Sequence, residues 1–187
     1  MRQIELLKLG ENVLKKENIQ DSHIKASTLL QYVLKQTKQE LIINSKEIVE
    51  PSKVNKYNNY LQKIIKGTPI QYITKHQQFM ALDFYVDENV LIPQPDTEVL
   101  VEEGIKIIKE QNMEVLDLCT GSGAIAISIA HYCQNSTVTA TDISQEALEV
   151  ARKNANLNNV NIEFIESNLF AAKRLKHAAQ YSYTFSA

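Results

Sequence analysis

A glycine turn flanked by two acidic residues is the part of this sequence best suited to chemistry. Residues 114–130, EVLDLCTGSGAIAISIA, have the pattern of a buried strand, a turn at Gly121 and Gly123, and an apolar helix. Asp117 lies just before the turn, and Asp142 ends the next predicted strand. Glycine tolerates positive φ and lets a ligand approach the backbone, and the first N–H groups of a helix are free donors. The pattern therefore predicts a ligand site at this turn.

Two classes of ligand fit the turn. The segment GSGAIA matches the dinucleotide-binding pattern, and Asp142, 21 residues after Gly121, could accept hydrogen bonds from both ribose hydroxyls. The Asp117 carboxylate would repel a pyrophosphate, by about 4 kcal/mol for unit charges about 4 Å apart at an effective dielectric of about 20. It would attract the ammonium and sulfonium groups of S-adenosylmethionine. The charges favour S-adenosylmethionine, with a dinucleotide as the rival and an empty tight turn as the third interpretation.

The elements that position the turn follow a β-α-β-α-β pattern. Short strands alternating with helices indicate a parallel sheet with right-handed crossovers, so the fold class is α/β. Ligands of such sheets bind outside the carboxyl ends of the strands. The predicted strands span residues 114–119, 136–142 and 160–166.

The first part of the chain has a different character. Apolar residues recur at helical spacing throughout residues 1–75, which predicts a small helical bundle. Residues 79–93, FMALDFYVDENVLIP, are aromatic and β-branched, with Asp-Glu-Asn at 87–89 between two apolar runs. This pattern predicts a β-hairpin whose turn lies at Asp-Glu-Asn.

Composition narrows the classes of function. The chain has 187 residues, of which 44% are hydrophobic, and its two cysteines fit neither a disulfide framework nor a zinc pattern, so no metal site is predicted. No apolar run approaches the roughly 18 residues that cross a bilayer, and no signal peptide is evident. We therefore expect a cytoplasmic protein without a membrane partner. Net charge is +6 over residues 1–80 and −11 over 81–170, which suggests two domains, but no basic run predicts direct nucleic-acid binding.

Four segments resemble, in order and spacing, the release-factor glutamine methyltransferases of the HemK type. They are GTPIQYITKHQQF (67–79), LIPQPDTEVLVE (91–102), VLDLCTGSGAIAISIA (115–130) and DISQEALEVARKNA (142–155). The resemblance implies an N5-glutamine methyltransferase with S-adenosylmethionine as its cofactor. Its partners would be peptide chain release factors, methylated on the side-chain amide of the glutamine in their Gly-Gly-Gln motif.

The resemblance also implies an order of domains. A helical substrate-recognition domain would precede a β-hairpin linker, followed by the first half of a Rossmann-like S-adenosylmethionine-dependent methyltransferase domain and a divergent tail. The corresponding ranges are 1–75, 76–93, 94–170 and 171–187.

The cofactor contacts implied by the resemblance lie in the turn, at the two acids and after the third strand. Cys119 stands where the family has a glycine, which is acceptable if this residue keeps a negative φ, and Gln94 replaces a common arginine. Leu169 would offer the adenine an apolar face without an aromatic stack. The full set is Asp117, Cys119, Thr120, Gly121, Ser122, Gly123, Asp142, Asn168 and Leu169.

One departure concerns catalysis. The family's Asn-Pro-Pro-Tyr motif, which holds the substrate glutamine, is absent from the sequence. We therefore expect a truncated member without catalytic residues, inactive as given. Tyr181, Tyr183 and Phe185 alternate in the tail and predict a fourth strand at the sheet edge. The alternatives are a nicotinamide-dependent oxidoreductase and a non-catalytic module that docks a protein through its basic helical part.

Overall fold

The computed structural model describes residues 1–108, 112–171 and 183–186, and the chain divides into two compact units, Met1–Thr74 and Lys75–Ala187. In residues 1–74, all of which are described, the regular structure consists of helices and one isolated β-bridge between Arg2 and Ile48, which confirms the predicted bundle. Its helices are α1 (Gln3–Lys16), α2 (Ser22–Leu34), α3 (Lys38–Ile43), α4 (Pro51–Ile65) and α5 (Ile70–Thr74).

Close packing of α1 against α4 defines the centre of this bundle. A Cβ atom on Gly10 would overlap the ring of Tyr57, so only glycine allows the two helices to approach here. Tyr57 is fully buried, and its hydroxyl donates a hydrogen bond to the carbonyl of Ala26 across 3.2 Å. Burial raises the pKa of Tyr57 above its ordinary value. This tyrosine therefore stays a neutral core residue, as buried tyrosines with a hydrogen-bonded hydroxyl commonly do.

The second unit contains a small hairpin and a sheet covered by helices. The elements run β1 (Gln77–Phe79), β2 (Leu82–Phe84), α6 (Pro95–Ile108), β3 (Glu114–Leu118), α7 (Ala124–Tyr132), β4 (Thr137–Asp142), α8 (Gln145–Leu157), β5 (Glu163–Glu166), a 3-10 turn (Leu169–Ala171) and β6 (Tyr183–Ser186). Ser144 caps α8, because its hydroxyl accepts the N–H of Ala147 across 3.1 Å. This cap starts a helix directly after β4.

The sheet confirms the predicted parallel α/β architecture. In the described residues its order is β5-β4-β3-β6, and every neighbouring pair is parallel. Val115 and Val138 belong to the core that α7 helps to form, whereas Leu116 and Leu118 lie in a separate cluster with Ile165. This division follows from the alternation of side chains along each strand.

The fourth strand predicted from the alternating aromatic residues is present. Backbone residues Tyr183–Ser186 pair in parallel with β3, with Tyr183 opposite Val115 and Ser186 opposite Leu118. Of the predicted tail at 171–187, residues 172–182, which include Tyr181, and residue 187 lie outside the described residues. The order of strands therefore reverses between β3 and β6, which is the switch point where such sheets bind ligands.

The hairpin differs from its prediction in position. Its turn lies at Met80 and Ala81, both at positive φ (49° and 57°), and not at Asp-Glu-Asn 87–89. Two tertiary hydrogen bonds hold this turn, because Glu98 accepts the N–H of Met80 across 2.7 Å and the Tyr132 hydroxyl donates to the Met80 carbonyl across 2.7 Å. Those bonds come from α6 and α7 and outweigh the local preference for polar turn residues.

No helix in the described part of the chain combines the length and apolar character needed to cross a membrane.

Candidate functional site

The carboxyl ends of three strands meet at one edge of the sheet. Leu118 at the end of β3 lies opposite Thr141 of β4, and Asp142 lies opposite Glu166 at the end of β5. The glycine turn after Leu118 therefore lies beside the end of β4. All nine residues predicted to bind the cofactor belong to these strand ends or to the segments directly after them.

Asp142 is bonded to the glycine turn. Its Oδ2 atom accepts the backbone N–H of Gly121 across 2.9 Å, and its Oδ1 atom accepts the N–H of Ser144 across 3.0 Å. A carboxylate has about four acceptor positions, so both oxygens keep capacity for further donors. Asp142 is half-buried. It can therefore hold the turn and still accept hydroxyl donors from a ligand.

Asp117 is buried beneath the turn. Only 1% of it is exposed, its Oδ2 atom accepts the Thr120 hydroxyl across 2.6 Å, and its Oδ1 atom makes no hydrogen bond of ordinary geometry with the described residues. Burial raises the pKa of Asp117 to about 7, aided by the negative charge of Asp142 and opposed by the Thr120 hydroxyl and the Ala126 N–H. An unpaired buried carboxylate oxygen is costly, and a cation near it would lower that cost.

The two glycines of the turn have different surroundings. Both have positive φ, 54° at Gly121 and 82° at Gly123. A Cβ atom on Gly121 would have no neighbour within 4 Å, whereas one on Gly123 would lie 2.8 Å from Ile127 Cδ1 and 3.2 Å from Ala151 Cβ. The sequence analysis expected a ligand to approach the backbone at both glycines. Of the two, only Gly121 has the open space that this requires. Gly123 instead allows α7 and α8 to pack closely.

Cys119 contradicts the expectation of negative φ. Its φ is 60°, in the left-handed region that favours glycine, and its side chain is exposed. The turn after β3 sets this conformation, since Thr120 donates its N–H to the Thr141 carbonyl across 2.8 Å. A residue with a Cβ atom is tolerated there at a cost of roughly 1–2 kcal/mol.

An apolar cavity of about 240 Å³ lies beside the turn. Gln94 and Thr97 add polar groups to its wall, and Gln94 donates its side-chain N–H to the Ile92 carbonyl across 2.8 Å. Thr120, which is bonded to Asp117, also lines it. The lining residues are Phe79, Leu91, Ile92, Pro93, Gln94, Thr97, Cys119, Thr120, Gly121, Ser122, Ala124 and Ile125.

Asn168 and Leu169 lie next to Asp142 because of Ser167. The N–H of Ser167 donates to the Asp142 carbonyl across 2.9 Å, and its hydroxyl donates to the Leu169 carbonyl across 2.8 Å. Leu169 is half-exposed and has a φ of 50°. Ile143, 67% exposed, directly follows Asp142, and the sequence analysis missed it. The two exposed aliphatic side chains offer an apolar surface on this edge, and the position of Ile143 after the acid was the available signal.

Asn154 of α8 is a second residue that the sequence analysis missed. It is fully buried, and its side chain bonds to the Ser122 carbonyl and to both backbone groups of Tyr85. Ser122 itself is buried. The hydrogen bond from Asn154 therefore fixes the Ser122 carbonyl from inside the protein. Asparagines on a predicted helix gave no signal of this role, since they are common on solvated helix surfaces.

Comparison with known proteins assigns the chain. A family model described as the PrmC N-terminal domain matches residues 5–74, and one described as a methyltransferase small domain matches residues 95–180. The release factor glutamine methyltransferase of Clostridium acetobutylicum is 43% identical over 148 residues, which are 76% of this chain and 50% of the relative. The chain belongs to the release factor glutamine methyltransferase family. The enzyme of that name from Leptospira interrogans is 41% identical over 172 residues, 88% of this chain and 59% of the relative.

The chain spans about half the length of the curated family members it matches. Among solved structures, the ribosomal protein L11 methylase of Lactobacillus delbrueckii is 35% identical, with 43% of this chain and 42% of that chain covered at a TM-score of 0.38.

The site fits S-adenosylmethionine, the cofactor of this methyltransferase family. The open space at Gly121 leaves room for a ligand against the backbone, and the unpaired Oδ1 atom of Asp117 suits a cationic group. The described residues contain no cluster of three or more histidine, cysteine or acidic side chains that could hold a metal ion.

Proposed function

We propose that this chain binds S-adenosylmethionine at the 119–123 turn and forms the donor-binding half of an N5-glutamine methyltransferase. The whole enzyme would methylate the glutamine amide of the Gly-Gly-Gln motif in peptide chain release factors, in the cytoplasm. S-adenosylmethionine supplies an electrophilic methyl group on a positively charged sulfur. The residues proposed to hold it are Asp117, Cys119, Thr120, Gly121, Ser122, Gly123, Asp142, Asn168 and Leu169.

The state of Asp117 is the observation that carries this proposal. Its buried carboxyl has one oxygen without a hydrogen bond of ordinary geometry, and burial raises its pKa to about 7. Asp117 forms no salt bridge with the described residues. A cationic ligand would favour the ionised form, whereas the pyrophosphate of a dinucleotide would bring two further negative charges near Asp117 and Asp142. The charge pattern therefore supports a sulfonium-bearing nucleoside over a nicotinamide cofactor.

The proposed roles divide between charge and shape. Asp142 would accept hydrogen bonds from ribose hydroxyls while it keeps its bond to Gly121 N–H. Gly121 would let the ligand lie against the backbone, and Leu169 would contact the adenine with an aliphatic surface. These contacts would fix the position of the methyl group, which is the protein's main means of accelerating such a transfer.

The acceptor half needs a group that the 187 residues do not contain. An amide nitrogen is a poor nucleophile, because its lone pair is delocalised into the carbonyl. In the family, the Asn-Pro-Pro-Tyr segment would bind the amide hydrogens and orient the nitrogen, and this segment is absent from the sequence. Proximity and orientation account for roughly 7–11 kcal/mol of a reaction barrier. We therefore propose that these residues bind the donor but do not methylate release factors at a measurable rate.

Two measurements test the proposal. Titration calorimetry with S-adenosylmethionine and with NAD should detect binding of the first ligand only. Transfer of labelled methyl to a purified release factor should be absent for the 187 residues and present for a version extended through Asn-Pro-Pro-Tyr. Preferential binding of NAD would refute the donor assignment. Equal methylation by both versions would show that another segment orients the amide.

A further inference from the structure

Asn154 joins two segments that are far apart in the sequence. Its Nδ2 atom donates to the Tyr85 carbonyl across 2.9 Å and to the Ser122 carbonyl across 2.8 Å, and its Oδ1 atom accepts the Tyr85 N–H across 2.7 Å. Tyr85 directly follows strand β2 of the hairpin, and Ser122 is the middle residue of the glycine turn. One side chain thus holds the hairpin and the proposed cofactor turn together.

The side chain of Asn154 makes three of the four hydrogen bonds open to it. Both N–H groups of its amide are donated and the oxygen accepts one bond, and the residue is fully buried. Its two bonds to Tyr85 satisfy both the N–H and the carbonyl of that residue, as a residue of a neighbouring β-strand would do. A buried amide is favourable only when its groups are paired, and an apolar residue would leave three backbone groups without partners. Packing alone therefore does not explain an asparagine here.

The two segments joined by Asn154 border the same cavity. Ser122 lines it from the turn, and Phe79 of β1 lines it from the hairpin. Phe79 pairs with Leu82 within the hairpin, so a displacement of the hairpin moves the cavity wall. The distance between the glycine turn and the part of the cavity wall formed by Phe79 therefore depends on the hydrogen bonds of Asn154.

We propose that Asn154 is a positioning residue that couples the β1–β2 hairpin to the cofactor turn. Binding of S-adenosylmethionine at the turn then reduces the motion of the hairpin, and loss of the bridge weakens binding. This inference rests on the proposed cofactor site and adds a residue outside it. The bridge acts through Ser122, so Asn154 needs no contact with the ligand.

Asn158, the C-cap residue of α8, provides a matched control one helical turn after Asn154. Its Nδ2 atom donates to the Asp83 carbonyl across 2.9 Å and to the Asn154 carbonyl across 3.0 Å. It therefore ties α8 to the hairpin, and its side chain makes no hydrogen bond to the glycine turn in the described part of the chain. Asn158→Ala removes one hairpin bond and leaves the bridge between hairpin and turn in place.

The experiment is hydrogen exchange measured by mass spectrometry, with and without S-adenosylmethionine, alongside calorimetric affinity. In the unaltered protein and in Asn158→Ala, ligand should slow exchange in peptides from the turn (114–125) and from the hairpin (77–90). In Asn154→Ala, affinity should fall about tenfold, a usual size for coupling between sites. At saturating ligand the turn should still be protected and the hairpin should not.

Each outcome has a distinct meaning. Hairpin protection and affinity in Asn154→Ala equal to those of the unaltered protein would overturn the coupling. No ligand protection of the turn in the unaltered protein would instead refute the proposed cofactor site. If Asn154→Ala fails to fold, Asn154→Ser, which leaves a hydroxyl and room for a water, replaces it. Failure of both variants to fold would also overturn the proposal, because Asn154 would then determine the fold and not the site.

Discussion

The backbone N–H of Gly121 donates to the Oδ2 atom of Asp142 across 2.9 Å, which links the turn after β3 to the end of β4. The other oxygen of Asp142 accepts the N–H of Ser144 at the start of α8. The acid proposed to bind a ribose therefore also holds the backbone that lies against the ligand. Replacement of Asp142 should consequently affect both binding and folding.

We expect Asp142→Asn to weaken S-adenosylmethionine binding by about 1.5–3 kcal/mol, the usual contribution of hydrogen bonds to a charged group. An asparagine has only one acceptor oxygen, so one of the two backbone bonds is also lost and stability falls. Calorimetry and urea denaturation measure the two effects. Asp87→Asn is the control, because Asp87 accepts the Asn89 N–H in a turn outside the strand ends. Reduced stability with unchanged affinity would mean that Asp142 is purely structural.

Gly121→Val should abolish detectable binding of S-adenosylmethionine. The added side chain would occupy the open space beside the backbone, and a β-branched residue at a φ of 54° also strains the turn. Gly67→Val supplies a control for strain, since Gly67 has a φ of 92° and open surroundings in the helical unit. The control should lose stability but keep its affinity. Equal affinity of Gly121→Val and the unaltered protein would refute the assignment of the turn.

Binding of S-adenosylmethionine should tighten as pH rises. Because the pKa of Asp117 is about 7 and the ligand is proposed to need the ionised form, affinity should increase about tenfold between pH 6 and pH 8. Calorimetry at several pH values measures this, with Asp117→Asn as the control that should show a flat profile below neutrality. A pH-dependent affinity that persists in Asp117→Asn would assign the effect to another group.

Stability of the ligand-free protein should change with pH in the opposite direction. The pKa of Asp117 is raised from 3.8 to about 7, so the folded state binds this proton more tightly than the unfolded state does. The contribution of Asp117 to the free energy of unfolding is therefore largest at low pH, falls as pH rises from about 4 to about 7, and is constant above. Asp117→Asn should remove this decrease from denaturation curves measured across that window.

Cys119→Gly should stabilise the protein. Glycine adopts a φ of 60° without the roughly 1–2 kcal/mol penalty of other residues, although it adds about 0.5–1 kcal/mol of unfolded-state entropy. The expected net gain in the free energy of unfolding is about 0.5–1 kcal/mol, measured by urea denaturation. Cys119→Ala removes the thiol but keeps the strained backbone, so it should give no such gain. Equal gains in both variants would implicate the thiol instead.

Local patterns were sufficient to predict much of the sheet and to place the proposed site residues at the ends of its strands. Val115 and Leu116 have the apolar character of a buried strand, and Gly121 marks the turn that follows it. The order of β3, β4 and β5 follows from short strands joined by helices, since such connections are nearly always right-handed. These features depend on residues close together in the sequence, which is why a single sequence reveals them.

Features set by distant contacts could not be predicted in the same way. The hairpin turn at Met80 is fixed by Glu98 and Tyr132, which are 18 and 52 residues away. The positive φ of Cys119 follows from the bond between Thr120 and Thr141. The bridge formed by Asn154 spans 69 residues to Tyr85. In the first two cases a tertiary hydrogen bond outweighs a local preference on which the sequence analysis relied, and in the third the local sequence carried no signal.

The reversal of strand order at β3 has a consequence for the folding kinetics. Pairs between β3 and β4 are 23 residues apart, as in Val115 with Val138, whereas the pair of Val115 with Tyr183 in β6 is 68 residues apart. Closing the longer loop costs about 1 kcal/mol more chain entropy. We therefore expect β3, β4 and β5 to assemble first and β6 to add last, so that the proposed donor site forms early on the folding pathway.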